Sequence, residues 1–190
     1  AEGFAAELAE NGDEDAFDIR VVDLEDVDPE EDLPGDAVSI FVVATYGEGD
    51  PTDNAVDFFS WLGSATEFPE GAENLKFAVF GLGDTQYENY NSMGRAFQKR
   101  LEELGGECVY PYGEGDNSED LEDDFEKWGK GFWPPVGASI GMVTQADPED
   151  EIMPPILRLR LVDVDDMDDM DQQELVDKAR LSGGDEKTQT

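Results

Sequence analysis

The sequence has no histidine and one cysteine, and its 12 basic residues stand against 49 acidic ones. Without histidine there is no imidazole acid–base catalyst, no histidine-held metal and no Ser-His-Asp triad. Cys108 cannot form an internal disulfide and, within an apolar run, reads as a small buried residue. A reducing, cytosol-facing compartment fits. These residues hold no signal-peptide pattern and no apolar run long enough to span a bilayer, so no membrane contact is expected from them. A formal charge of −37 argues against nucleic acid and anionic membrane, which need Lys and Arg to replace their counterions. It favours partners with a basic face, whose encounter it speeds up. The acids are spread along the whole chain, so a solvated, salt-adapted surface fits as well.

The 190 residues suffice for one domain and a tail, and the apolar 38% is clustered enough to build a core. Residues 1–11 read as a helix with Phe4 and Leu8 on one face, and residues 17–23 as a short strand. Residues 24–36 read as an acidic loop with Pro29 and Pro34. Ala37–Ala44 is a near-continuous apolar strand of the kind buried on both faces of a parallel sheet. It ends in a Gly-rich acidic loop, Thr45-Tyr46-Gly47-Glu48-Gly49-Asp50-Pro51, before an amphipathic helix over 52–62. Leu75–Gly83 is a second such strand. A helix to Leu104 follows, with Tyr90, Met93, Phe97, Leu101 and Leu104 as its apolar stripe. Glu107–Tyr112 reads as a strand and Gly113–Ser118 as a third loop. Leu121, Phe125, Trp128 and Phe132 mark a last helix, ended by Pro134-Pro135. Residues 137–155 read as a linker. Ile156–Val162 alternates as a strand with no obvious partner, and 163–190 carry an acidic, Asp/Met-rich composition without a core pattern, for which disorder is expected.

This alternation argues for an α/β fold with a doubly wound parallel sheet, its loops opening on one edge. Tyr46 alone could be a strand-end ring packed on a neighbouring loop. With Tyr87 on the next loop, the pair could sandwich a flat heterocycle. No catalytic base or metal cluster accompanies them, which suits a redox cofactor whose own ring carries the chemistry.

The segments Ala44–Ala55, Leu75–Gly83 and Tyr87–Gly94, with Arg100–Gly105, Gly115-Asp116, Leu121–Phe125 and Trp128–Pro134, resemble the FMN-binding, flavodoxin-like domain of diflavin reductases. The likeness covers about 1–136 and is strongest to the NADPH–haemoprotein reductases that serve microsomal cytochrome P-450 enzymes. It implies a cofactor-binding set of Thr45, Tyr46, Gly47, Glu48, Gly49, Leu82, Gly83, Asp84, Tyr87, Tyr90, Asn91 and Asp116. Tyr46 and Tyr87 would stack on the two flavin faces, Gly47 would lie beside N5, and Asp116 near the outer edge. Glu48, Asp50, Asp116, Glu122 and Asp123 would be acids facing a basic haem-protein acceptor. The function implied is that of an oxidoreductase module passing electrons from an NADPH/FAD domain to a haem protein. FAD and NADPH sites would lie in downstream domains, of which 156–190 would be the start. The endoplasmic reticulum membrane is the place of the full-length family member, its anchor outside these residues.

Three departures qualify the resemblance. Family members carry a strand and a phosphate loop just before the first helix here, so the chain is expected to be an N-terminally truncated fragment without them, inactive alone. Asp84 stands where the family usually has Asn, which should weaken binding of an anionic cofactor or make it pH-dependent. Asn117 and Ser118 replace acids common in the third loop. Two alternatives stay open: the FMN domain of a nitric oxide synthase or sulfite reductase type, and a non-redox acidic interaction domain that has lost its cofactor.

Overall fold

A computed structural model describes residues 1–12, 17–35, 38–141 and, as backbone, 156–161. Its centre is β2, Val38–Tyr46, in which Val38, Ile40, Phe41, Val42 and Val43 are fully buried. Burial along consecutive residues requires cover on both faces, because successive side chains point opposite ways. On one face Phe41 and Val43 meet Phe58 and Leu62 of α3 (Val56–Ser64) and Met93, Phe97 and Leu101 of α4 (Ser92–Glu103). On the other, Ile40 and Val42 share a cluster with Leu8 of α1 (Glu2–Glu10), Phe125 of α5 (Leu121–Gly129) and Val136 of α6 (Trp133–Ser139). A sheet between two helix layers is the doubly wound arrangement read from the sequence.

Beside β2 runs β4, Lys76–Gly83, parallel from the Val38–Lys76 pair to the Ala44–Leu82 pair. Two short strands, β5 (Glu107–Cys108) and β6 (Gly113–Asp116), lie parallel along the far side of β4. The expected single strand over 107–112 is thus broken, and Gly113–Asp116 is strand where a loop was expected. Trp128 and Leu121 explain its two glycines: a Cβ at Gly113 would fall 2.4 Å from the Trp128 indole, and one at Gly115 would fall 2.3 Å from Leu121.

On the other side of β2 lies the largest departure. Ile156–Leu161, expected to be unpaired, forms β7, inserted between β2 and β1 (Asp18–Arg20) and parallel to both. The sheet order is β1-β7-β2-β4-β5. This segment fills the position beside β2 on the side away from β4.

Two smaller corrections follow from packing. Residues 24–35 are not a bare loop: Leu24, Val27 and Leu33 are buried, carried by a 3-10 turn at Leu24–Asp26 and by α2, Pro29–Asp32. Asp23 and Asp28 accept hydrogen bonds from the Glu25 and Glu30 N–H groups, as N-cap residues do. Pro134-Pro135 does not end a helix but opens α6, where a missing N–H costs nothing. Gly131 at φ +81° makes the break instead. Val136 is fully buried, and Lys76 Nζ donates to the Ser139 carbonyl at 2.6 Å. The packed unit therefore runs past the boundary expected at 136. Residues 142–155 and 162–190, the remainder of the expected linker and the acidic tail, lie outside the described residues.

Candidate functional site

The carboxyl ends of β2, β4 and β6 open on a cleft of about 570 Å³, within the ~300–1,000 Å³ usual for small-molecule sites. Thr45, Tyr46, Gly47, Leu82, Gly83, Asp84, Tyr87 and Tyr90 line it, eight of the residues expected to hold a cofactor. Ala1, Phe4, Ala44, Asn89, Asn117 and Leu121 complete the wall.

The Tyr46 wall is a hairpin. β2 turns at Gly47-Glu48-Gly49 and returns as β3, Asp50–Pro51, pairing Tyr46 with Asp50. Gly47 at φ +51° and Gly49 at φ +103° supply the left-handed turn. A Cβ at Gly47 would meet only Asp50 Oδ2, 4.0 Å away, so its backbone is open to close approach. Glu48 and Gly49 do not line the cleft; their carbonyls accept hydrogen bonds from Asn89 Nδ2 and from Ser92 Oγ, the latter at 3.3 Å.

Tyr87 sits on a turn closed by its own N–H to the Asp84 carbonyl at 3.1 Å. Tyr46 is 61% and Tyr87 65% exposed, the two most exposed large hydrophobic side chains among the described residues. Rings this open, at the ends of neighbouring strands on one cleft, have surface free for a planar group. Tyr90 was expected on the stripe of α4, but α4 begins at Ser92. Tyr90 instead lies in the preceding turn, lining the cleft with the Arg95 guanidinium 5.4 Å from its ring centroid. Burial raises its phenol above the ordinary range.

Asn91 is wholly buried at φ +52°, its Nδ2 donating to the Gly115 carbonyl at 3.2 Å. It wedges β4 against the start of α4 and does not reach the cleft. Asp84 lines the cleft, with Oδ1 accepting from the Gln86 N–H at 2.8 Å and Oδ2 from Asn117 Nδ2 at 3.4 Å.

Asp116 departs most from expectation. It is 8% exposed and presents no charge to an acceptor. Its carboxylate accepts from Thr85 N–H at 2.9 Å, Thr85 Oγ1 at 2.6 Å, Ser118 N–H at 2.9 Å and Ser118 Oγ at 2.8 Å. Burial opposes its charge, but the donors from Thr85 and Ser118 outweigh it and hold the carboxyl down to about 2. Of the other acids expected to face an acceptor, Glu48, Asp50, Glu122 and Asp123 are exposed, and Asp123 is paired with Lys127 one turn on. The inward aim of Asp116 left no signal in the sequence. Nor did the service of Asn89 and Ser92 as hydrogen-bond donors to the hairpin.

Residues 1–128 match the family model described as Flavodoxin. The chain is 39% identical over 162 residues to the NADPH–cytochrome P450 reductase of Dictyostelium discoideum, covering 85% of this chain and 24% of that protein. It is 43% identical over 147 residues to that of Musca domestica (75% and 21%) and 48% identical over 106 residues to that of Homo sapiens (56% and 15%). The chain therefore spans about a quarter or less of these relatives. Among solved structures, oxidised Flavodoxin 1 from Bacillus cereus superposes with a TM-score of 0.52 at 23% identity, covering 73% of this chain and 85% of that one, a likeness of fold. The chain belongs to the flavodoxin family and is homologous to the flavodoxin-like part of the NADPH–cytochrome P450 reductases.

Proposed function

We propose that the chain binds FMN in the β2–β4–β6 cleft and serves as the electron-transfer module of an NADPH–haemoprotein reductase, delivering electrons to a haem protein with a basic face. The observation that carries the reading is the pair of exposed tyrosines, Tyr46 and Tyr87, on one concave site at the carboxyl ends of adjacent parallel strands. The residues fit the cofactor: tyrosine rings to cover a planar heterocycle, and at Gly47 a bare backbone for its edge. The first turn of α1 reaches the cleft through Ala1 and Phe4, and a helix N-terminus favours a phosphate, although Glu2 in that turn opposes it.

When bound, FMN would supply the redox chemistry in its own ring. Tyr46 and Tyr87 would hold the ring between them, and Leu82 and Phe4, which line the same cleft, would help to shield it from water. Outside the cleft, exposed Glu48, Asp50 and Glu122 lie on a molecule of formal charge −37, which steers a basic acceptor and permits rapid release. The relatives' name, NADPH–cytochrome P450 reductase, supports NADPH as the electron source and a cytochrome P450 as the acceptor; an FAD domain between them and a microsomal acceptor belong to the proposal.

The test is reduction of a small basic haem protein by the photoreduced, FMN-loaded chain. The rate is expected to fall steeply as ionic strength rises from 10 to 200 mM, because the Debye length shrinks from ~30 to ~7 Å. No haem reduction, or a rate indifferent to salt, would contradict the acceptor assignment.

A further inference from the structure

We propose that Asp116 is a positioning residue for the cofactor site: its carboxylate ties the turn that carries Tyr87 to the end of β6 and so sets one wall of the cleft. This rests on the FMN reading above for its purpose, though not for its geometry.

Tyr87 is 65% exposed, so core packing does not hold its ring. What fixes it is the backbone of the turn over 84–87. That turn is closed on itself by Tyr87 N–H to the Asp84 carbonyl at 3.1 Å and Gln86 N–H to Asp84 Oδ1 at 2.8 Å. It is tied to the β6 end at two points: Asp84 Oδ2 accepts from Asn117 Nδ2 at 3.4 Å, and, at shorter distances, the Thr85 N–H and hydroxyl both go to Asp116. Asp116 is a firm anchor. It pairs with Gly83 in the β6–β4 ladder, the neighbouring Asn117 N–H donates to the Gly83 carbonyl at 2.8 Å, and its own N–H donates to Asp124 Oδ2 at 3.1 Å. Ser118 closes the ring, donating to Asp116 and lying 2.7 Å from the Thr85 hydroxyl.

The chemistry requires a carboxylate. Two N–H groups and two hydroxyls converge on one side chain, and an ionised Asp is acceptor-only with about four lone-pair sites. Asn would turn an NH₂ towards donors on one side and leave part of the set unpaired. Ala would leave all four without that acceptor and untie the turn from β6. In a chain this acidic, a carboxylate pulled inward onto four donors serves local structure better than it serves surface charge.

The experiment uses the whole chain with Asp116→Ala, Asp116→Asn and, as a stability-matched control far from the cleft, Leu101→Ala. Amide exchange is followed without flavin, then FMN affinity and the quenching of flavin fluorescence by the stacked tyrosines. In Asp116→Ala, the Thr85 and Ser118 amides are expected to exchange ~10-fold faster or more, with β4 amides unchanged. FMN affinity should fall by a similar factor, with weaker quenching of the bound flavin. Asp116→Asn should lie between, and carries the test if the Ala variant does not fold. Leu101→Ala should lower stability without changing quenching. Wild-type exchange at Thr85 and Ser118 in both Asp116 variants would overturn the proposal, as would equal loss of FMN affinity and quenching in Leu101→Ala. Faster local exchange in the Asp116 variants, with a wild type that binds no FMN, would leave the clamp standing and remove the flavin reading instead.

Discussion

The Met93 N–H donates to Thr45 Oγ1 at 3.2 Å, so the residue before Tyr46 caps the first turn of α4. A helix N-terminus leaves four N–H groups without partners, and a polar side chain at the cap residue usually takes one. Here the cap residue, Asn91, makes no such bond; its φ is +52° and its side chain points to Gly115. A strand-end threonine does the capping, which ties the Tyr46 hairpin to the helix that follows Tyr87. Thr45→Val keeps the shape and removes the acceptor. Urea unfolding should show a loss of about 1 kcal/mol, typical of a lost cap, and FMN titration a weaker complex. Unchanged values in both would show that the cap has no role.

Tyr46→Ala and Tyr87→Ala should separate binding from stability. Both rings are mostly exposed, so their removal should barely move the thermal midpoint. Loss of one stacked ring from a planar ligand costs roughly 1–3 kcal/mol, about 5- to 150-fold in FMN affinity. Tyr90→Ala should do the reverse, because that half-buried ring packs under Arg95, itself held by a two-pronged pair with Glu114 at 2.6 and 2.8 Å. Equal FMN affinities for the Tyr87 and Tyr90 variants would contradict the assignment.

Asp84→Asn should tighten FMN binding. Asp84 puts a carboxylate into the cleft wall beside an anionic ligand, and Asn can still accept from the Gln86 N–H. Removing one charge repulsion through mixed solvent and protein is worth ~1 kcal/mol, roughly five-fold, and the gain should shrink in high salt. Titrations at two ionic strengths read this directly; weaker binding by the Asn variant would place the phosphate and ring elsewhere.

Arg158 is flanked by Arg20 of β1 and Ser39 of β2, so its N–H belongs to a ladder whichever way it points. β1 has β7 as its strand partner. Arg158→Pro removes one ladder bond, about 1–3 kcal/mol if the partner is left unpaired. It should speed amide exchange in Asp18–Arg20 and Ser39–Val42 while leaving α4 unaffected. Unchanged exchange along that edge of β2 would mean that β7 does not complete the sheet.

The acid response of Asp116 has a defined sign. Its folded carboxyl is held down to about 2, below the ordinary aspartate value near ~3.9. The stability it contributes is therefore fully present above about pH 4 and is lost as pH falls towards 2. Asp124, which accepts from the Asp116 N–H, and Asp84, bonded to Asn117, are common to both proteins when wild type is compared with Asp116→Asn. The gap in unfolding midpoint should be constant from pH 5 to 8 and close by pH 2; a gap independent of pH would place the carboxylate outside the network.

Long, periodic or fully apolar segments were legible in the sequence. β2 and β4 stand where their patterns place them, and α3, α4 and α5 stand there with shifted ends, because burial on one or both faces dictates where apolar residues fall. The short elements were not. Leu24, Val27 and Leu33 reach the core from turns too brief to show a period. Gly113–Asp116 is a strand whose composition reads as a turn, since its neighbours leave no room for side chains at Gly113 and Gly115. The two exposed tyrosines of the cleft were legible as aromatics at strand ends. The inward turn of Asp116 and the buried left-handed Asn91 were not, because both depend on hydrogen bonds to residues brought near only by folding.

The most direct measurement is titration of the 190-residue chain and its Tyr46→Ala/Tyr87→Ala double variant with FMN, read by flavin fluorescence and by absorbance after desalting. The cleft described here predicts saturable, one-to-one quenching with flavin retained through desalting by the wild type, and loss of both in the double variant. Flavin that passes through unretained and unquenched, or that binds the double variant equally well, would contradict it.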